Sequence, residues 1–261
     1  MRPLVTGDSM QIISIVMQKG GSGKTTTAVN LAAALAEAGK KVLVIDLDPQ
    51  ANATSWLGIT DPGKGIYTVL CENAAIDSII TNTAIPGLDI APASTWLVGA
   101  EKALAGEVGA ESTLRRRISK SKGKWDYVLI DTPPTLGTLT VNALAAADEV
   151  LIPVEAHVLA LNGLAQAMQT IAAVQDRLNE NLTVRGLVAC RVDARTRHSD
   201  DVVAEMRKQF PKQVFETVIR ENVRLAEAPS FGQPITVYDS SSTGAKDYRA
   251  LAGELLKPGK K

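Results

Sequence analysis

The sequence predicts an α/β fold, a doubly wound and mostly parallel sheet with helices on both faces. Three observations carry that prediction. Short runs of Val, Ile and Leu alternate along the chain with segments of helical periodicity. The runs read as buried strands, as a sheet covered on both faces requires. Aromatic residues make up only 4% of the chain while alanine is abundant, which disfavours an all-β fold.

The elements follow in order. Gln11–Met17 (QIISIVM) reads as a strand, and Thr25–Ala38 as a helix closed by Gly39. Lys41–Ile45, Tyr127–Ile130 and Val150–Val154 read as strands, with a helix over Thr135–Ala147 between the last two. Leu161–Leu178 is helical in pattern, Val184–Cys190 and Val214–Ile219 are strands, and Ser199–Phe210 and Gly244–Leu256 are helices. Asp61–Gly65 reads as a surface loop, and residues 1–10 and 257–261 as flexible ends. With no repeat, low-complexity stretch or evident linker, the 261 residues are read as a single domain.

Composition narrows the function classes. The formal net charge is zero, so any nucleic-acid binding must come from a local patch. Two cysteines, Cys71 and Cys190, without a C-x-x-C pair, speak against a disulfide framework or a cysteine metal site. No apolar run approaches the roughly 18 residues of a membrane span, and the N-terminus lacks the pattern of a signal peptide. A cytoplasmic location is expected. His157 and His198 have no nucleophile signature beside them.

Residues 18–26, QKGGSGKTT, lie between a strand and a helix. Gly20, Gly21 and Gly23 allow a tight turn that brings backbone N–H groups of the loop, Lys19 to Thr26 with Ser22 among them, towards phosphate oxygens. The helix start adds its positive dipole end. Lys24 is placed to reach β- and γ-phosphates, and the Thr25 hydroxyl to ligate Mg²⁺. This is a P-loop, although Gln18 stands where the G-x-x-x-x-G-K-[ST] pattern has its first glycine. Lys19 is the departure. It lies too early to serve its own γ-phosphate as Lys24 does, and from the loop alone two readings stay open: a solvated lysine, or one that reaches a second nucleotide across an interface.

Acids close two strands. Asp46 and Asp48 follow KVLVI, and Asp131 follows YVLI. In a parallel sheet the ligand lies beyond the strands' carboxyl ends. Asp48 and Asp131 are therefore the candidates for holding Mg²⁺, directly or through water, and for positioning the water that attacks a γ-phosphate.

Taken together, KGGSGKTTT, DLDPQANATSWLG, DYVLIDTPPTLGTLTVNAL and NVRLAEAPSFGQPI resemble the ParA/MinD family of deviant Walker-A ATPases, nearest to the small Soj-like ParA partition ATPases. The likeness runs from about Gln11 to Leu256. It implies ATP and Mg²⁺ as cofactors, weak intrinsic ATPase activity, and an ATP-bound sandwich homodimer in which Lys19 contacts the partner's nucleotide. It further implies that Asp48 is the hydrolysis-critical aspartate with Asp46 close by, that Asp131 is the Walker B acid, and that Asn222 lies near the adenine. Such proteins bind double-stranded DNA without sequence preference as ATP dimers on the nucleoid, and a ParB-like partner stimulates hydrolysis. Three departures stand out: Arg220-Glu221-Asn222 where the family often has Pro-Arg-Asn, Asn162-Gly163 in place of Glu-Gly, and a P-loop starting at residue 18 with no preceding helix-turn-helix.

Arg191, Arg195 and Arg197 fall within seven residues, Arg220 and Arg224 follow a later strand, and Lys246 and Arg249 open the last helix. They are either ordinary solvated charge or a stripe that neutralises phosphates without reading bases; the resemblance favours the second. Arg115-Arg116-Arg117 reads as a solvated helix face. A MinD-like membrane ATPase is the main alternative, but it needs a C-terminal amphipathic helix and the chain ends in LLKPGKK. Positioning of another cargo, such as a microcompartment, is not separable from DNA partition by sequence.

Overall fold

The computed structural model describes residues 10–157, 160–193 and 195–257, without the side chains of 160–162, 197 and 198. The expected flexible ends therefore lie almost entirely outside the described residues. Eight strands form one sheet, in the order β3-β4-β2-β5-β1-β6-β7-β8. They are β1 (Gln11–Ile15), β2 (Val42–Asp46), β3 (Thr81–Asn82), β4 (Leu88–Ala91), β5 (Tyr127–Asp131), β6 (Glu149–Glu155), β7 (Thr183–Val192) and β8 (Ile219–Arg220). Every pairing is parallel except β3 with β4, where a two-residue strand caps the edge.

Period-2 alternation divides the strand side chains between two buried faces. Ile13, Ile15, Val42, Val44, Leu129 and Val188 point to the side covered by α1 (Lys24–Glu37) and α11 (Thr243–Leu255). Leu43, Ile45, Val128 and Ile130 face the opposite layer, whose apolar partners include Leu114 of α5 (Thr113–Ile118) and Leu139 and Ala143 of α6 (Thr138–Ala146). Val150, Ile152, Val154 and Leu187 meet α7 (Ala160–Arg177) and α8 (Arg197–Gln209) on that same side. This is the doubly wound arrangement the sequence predicts.

Helix α1 ends as expected. Gly39 has φ +83°, and the N–H groups of Gly39 and Lys40 return to the carbonyls of Ala36 and Leu35. The expected strand over Val214–Ile219 is a correction. Val214 makes only an isolated bridge with Leu187, and regular pairing is confined to Ile219–Arg220. The cause is Glu254 of α11, whose carboxylate accepts from the Glu216 and Thr217 N–H groups at 2.8 and 3.0 Å and draws them out of the ladder. The stretch between β2 and β5 also holds α2 (Asn52–Trp56), α3 (Ile66–Cys71) and α4 (Ala100–Leu104), none of which the sequence reading assigned. The remaining short helices are α9 (Val223–Glu227) and α10 (Ile235–Tyr238).

Because β1 has β5 on one side and β6 on the other, the chain leaves the sheet at its centre and α1 starts where the strand order changes direction. That is the place where an open α/β sheet forms its ligand crevice.

Candidate nucleotide site

A cleft of about 1050 Å³ opens at the carboxyl ends of the central strands, walled by Gly20–Thr26, Asp48, Asn222 and Tyr248 among others. It is at the upper end of the range for small-molecule sites. The loop between β1 and α1 forms its floor. Gly21 and Gly23 take φ of +75° and +90°, values a side chain would strain. Gly23 also lies over Cys190 of β7, at a distance where a Cβ would make only ordinary van der Waals contact, so its positive φ is what calls for glycine. Gly163 shows why helix α7 carries glycine there: a Cβ would meet the Gln18 carbonyl oxygen at 3.2 Å.

Lys24 opens α1 and is buried at 6% exposure. Its ammonium donates to the Lys19 carbonyl oxygen, across the loop, at 3.2 Å. Burial pulls its pKa below the ordinary lysine value, while the nearby Asp131 and Asp48 carboxylates oppose that shift. Asp131 is wholly buried at the end of β5 with the Thr25 hydroxyl and the Lys24 ammonium beside it, and among the described residues neither carboxylate oxygen makes a hydrogen bond of ordinary length and angle. Burial pushes its carboxyl well above the usual range, Asp46 pushes the same way, and the neighbouring Thr25 hydroxyl and Lys24 cation oppose. Ser22 Oγ is likewise buried without a partner. Native proteins seldom leave such atoms unpaired. A carboxylate without a well-formed hydrogen bond, beside Thr25 at the mouth of a phosphate-shaped loop, is the donor set that suits a hard divalent cation.

The other strand-end acids have separate tasks. Asp46 Oδ1 accepts from the Asp48 N–H at 3.1 Å, and Oδ2 accepts from the Thr54 N–H and hydroxyl at 2.9 and 2.7 Å. Its carboxyl, pushed up to about 6 by burial, is thus committed to holding the turn into α2. Asp48 lies on the cleft wall at 7% exposure, with one oxygen accepting from the Gln50 N–H at 2.9 Å. Asn222 also lines the cleft, yet its side chain caps α9 by accepting from the Arg224 and Leu225 N–H groups, and its amide donates to Thr243. Cys190 is free and buried, its thiol pushed up to about 12 by burial, and Cys71 is free as well.

Lys19 does not stand free at the cleft's rim. Its ammonium donates to Glu155 Oε2 at 2.6 Å, and Glu155 also pairs with Arg191 at 3.1 Å. Sequence reasoning passed over Glu155, although it closes the apolar strand β6 just as Asp46 and Asp131 close theirs.

The basic residues are dispersed and mostly paired. Arg195 makes a two-pronged contact with Asp193, and Arg220 does the same with Asp247 of α11, whose side chain is only 8% exposed. Arg224 meets Glu227 and Asp239. Arg249 joins Glu37 of α1. Lys246 is exposed. The Arg197 side chain lies outside the described residues. Arg116 of the second cluster bonds back to the Gly109 carbonyl and Thr113 hydroxyl, within its own helix and the turn before it.

Fold and site together define a P-loop nucleotide-binding protein with parallel α/β architecture. The AAA domain family model matches residues 10–184. The chain is 47% identical over 251 residues to the sporulation initiation inhibitor protein Soj of Bacillus subtilis, covering 95% of this chain and 99% of that one. It is 45% identical to the chromosome partitioning protein ParA of Myxococcus xanthus, over 95% of this chain and 88% of that one. Among solved structures, cobyrinic acid a,c-diamide synthase from Mycobacterium smegmatis, crystallised with an ATP analogue and magnesium, superposes with a TM-score of 0.84 at 34% identity, covering 95% of both chains. The chain belongs to the ParA/MinD family of P-loop ATPases, on its Soj-like side. Among the described residues no helix is long and apolar enough to cross a membrane.

Proposed function

We propose that this chain is a ParA-type partition ATPase that uses ATP as a switch for binding DNA. The observation that carries the reading is the buried carboxylate of Asp131, which makes no well-formed hydrogen bond although the Lys24 cation and the Thr25 hydroxyl lie beside it. Burying charge without a partner is costly, and a bound Mg·ATP is the ligand that would offset it. Thr25, and Asp131 directly or through water, would hold Mg²⁺, which would supply charge neutralisation to the phosphates. Lys24 swings from the Lys19 carbonyl to those phosphates, and loop N–H groups from Gly20 to Thr26 cradle them. Asp48, held rigid by Asp46 and the Gln50 N–H, orients the attacking water for in-line displacement. Intrinsic turnover is slow, and a ParB-like partner raises it.

Two such chains form a sandwich dimer across their nucleotides, with Lys19 of each reaching the other's phosphates. Dimerisation places two sets of Arg195, Arg224 and Lys246 on one surface, enough to bind any duplex through its backbone. Arg220 and Arg249, tied to Asp247 and Glu37, chiefly fasten α11 to β8 and α1. The protein acts in the cytoplasm on the nucleoid, segregating chromosome or plasmid DNA.

Co-sedimentation tests this with duplex DNA and with anionic liposomes, each with Mg·ATP or Mg·ADP. DNA of any sequence should sediment with the ATP form alone. A dimer making roughly six phosphate contacts should lose about a thousandfold in affinity between about 50 and 200 mM salt. Liposome binding without DNA binding would replace this reading with the membrane ATPase, and equal DNA binding in ATP and ADP would remove the switch.

A further inference from the structure

The lysine that the proposed dimer sends across its interface is already held within its own chain. Lys19 Nζ lies 2.6 Å from Glu155 Oε2, the acid that closes β6, the strand beside β1. The other oxygen, Oε1, accepts from Arg191 at 3.1 Å. Arg191 follows Cys190, the register partner of Glu155, at the point where β7 shifts register against β8. Its φ of +53° lies in the left-handed region, which is costly for a residue with a side chain and persists only where the surroundings enforce it. One carboxylate thus joins two cations from three segments at the rim of the nucleotide cleft. The three side chains differ in access: Glu155 is 19% exposed, Lys19 34% and Arg191 57%. Hydrogen bonding from Lys19, with Arg191 and His157 adding to it, keeps Glu155 ionised.

This arrangement lets Lys19 leave without stranding a charge. A buried acid deprived of its only partner would resist the loss strongly. Glu155 keeps Arg191 when Lys19 departs, so opening costs no more than a partly exposed ion pair. A second nucleotide, with several negative charges on its phosphates, outcompetes one carboxylate for the ammonium.

We propose that Glu155 is a positioning residue for Lys19: it holds the lysine in cis in the nucleotide-free chain and hands it to the second nucleotide on dimerisation, with Arg191 remaining to neutralise the carboxylate. The inference rests on the trans-lysine reading of Lys19. Glu155 therefore sets the threshold for dimerisation, and removing its charge lowers that threshold. A partly exposed pair shifts an equilibrium by about two- to fivefold. Each dimer opens two such pairs, so the association constant of Glu155→Gln should rise about four- to twenty-five-fold.

The test uses the full chain with Mg²⁺ and a non-hydrolysable ATP analogue, following dimer formation by light scattering across protein concentration. Four proteins form a cycle: wild type, Glu155→Gln, Lys19→Gln and the double variant. Tighter dimerisation of Glu155→Gln is expected in the wild-type background and no gain in the Lys19→Gln background. A gain of the same size in both backgrounds shows that Glu155 acts without Lys19 and overturns the handover. So does a Glu155→Gln dimer no tighter than wild type when Lys19→Gln is weakened. A Lys19→Gln dimer equal to wild type overturns the trans-lysine reading itself, and the handover with it. Arg191→Gln gives an independent arm should Glu155→Gln fail to fold. It leaves Glu155 with Lys19 alone and should weaken the dimer; an unchanged or tighter dimer contradicts the proposal.

Discussion

The nucleotide cleft and the basic outer surface treat charge in opposite ways. In the cleft, Asp131 is wholly buried without a well-formed hydrogen bond, and among the described residues the hydrogen-bond acceptor of Lys24, at 6% exposure, is a loop carbonyl. On the outside, where water would solvate a charge at little cost, Arg195, Arg220, Arg224 and Arg249 each hold an acid. Stability alone would favour the reverse, since unpaired charge is cheap in water and costly in a core. The inversion teaches where a ligand is awaited. The cleft carries unmet electrostatic demand that a small polyanion with a divalent cation would meet, whereas the surface arginines are already held by acids and, on the proposed reading, would attract DNA only once two copies are joined.

The largest expected effect is on the cleft's cation. Lys24→Ala removes the charge proposed to meet the β- and γ-phosphates, and calorimetry should show ATP affinity reduced by at least about a hundredfold, the scale of losing charge-assisted hydrogen bonds. Near-normal binding would dissolve the contrast between the two regions. Next comes the chemistry. Asp48→Ala should bind Mg·ATP with an affinity within about threefold of wild type yet lose at least about a hundredfold in hydrolysis, so that dimer accumulates. Wild-type turnover would move the water-positioning role elsewhere.

The buried acids also set a pH dependence. Asp46, raised from 3.8 to about 6, and Asp131, raised well above its usual range, bind protons in the folded chain at pH values where the unfolded chain does not. Their contribution is therefore present at low pH and lost as pH rises through the folded values. For Asp46 that loss falls between about pH 4 and 6 and amounts to ~2–3 kcal/mol. Melting of the nucleotide-free protein should record this decline as pH rises, and saturating Mg·ATP should flatten the Asp131 share of it. A nucleotide-free protein whose stability rises over the same interval would contradict the assignment.

On the outer surface the effects should be confined to DNA binding. Replacing Arg195 and Arg224 together by Glu should abolish DNA co-sedimentation while leaving ATP-dependent dimerisation intact. Releasing Arg195 from its acid by Asp193→Asn should strengthen DNA binding by about two- to fivefold, the scale of an exposed pair. An unchanged affinity would show that the Asp193 contact carries no weight on that surface.

What was legible in the sequence follows from what is local. β1, β2, β5, β6 and β7 are buried runs of Val, Ile and Leu, and their chain signature survives to within about two residues of its boundaries. The phosphate loop was legible because its turn, lysine and helix start are contiguous. β4 was not, since it is four residues long with Asp89 inside it, and α2 to α4 are too short for a 3.6-residue period to declare itself. Val214–Ile219 failed because Glu254, far along the chain, captures its N–H groups. The charge pairing was hidden for the same reason. Counting residues 185–224 gives an excess of Arg and Lys, but Asp247 and Asp239, which pair with Arg220 and Arg224, lie outside that window. Glu155 was legible in principle as an acid closing an apolar strand, and its link to Lys19 needed the sheet order to bring β6 beside β1.

The central claim is that Asp131 is kept without a well-formed hydrogen bond for a cation that arrives with the nucleotide. Asp131→Asn tests it most directly, read by thermal melting without nucleotide and by ATP titration with and without Mg²⁺. The account predicts a melting temperature raised by about 2–6 °C at a pH above the usual carboxylate range, because a buried carboxyl whose ionisation is disfavoured is removed, together with loss of most of the Mg²⁺ dependence of ATP affinity. A lower melting temperature with the Mg²⁺ dependence intact would mean that Asp131 supports the fold and not the cation.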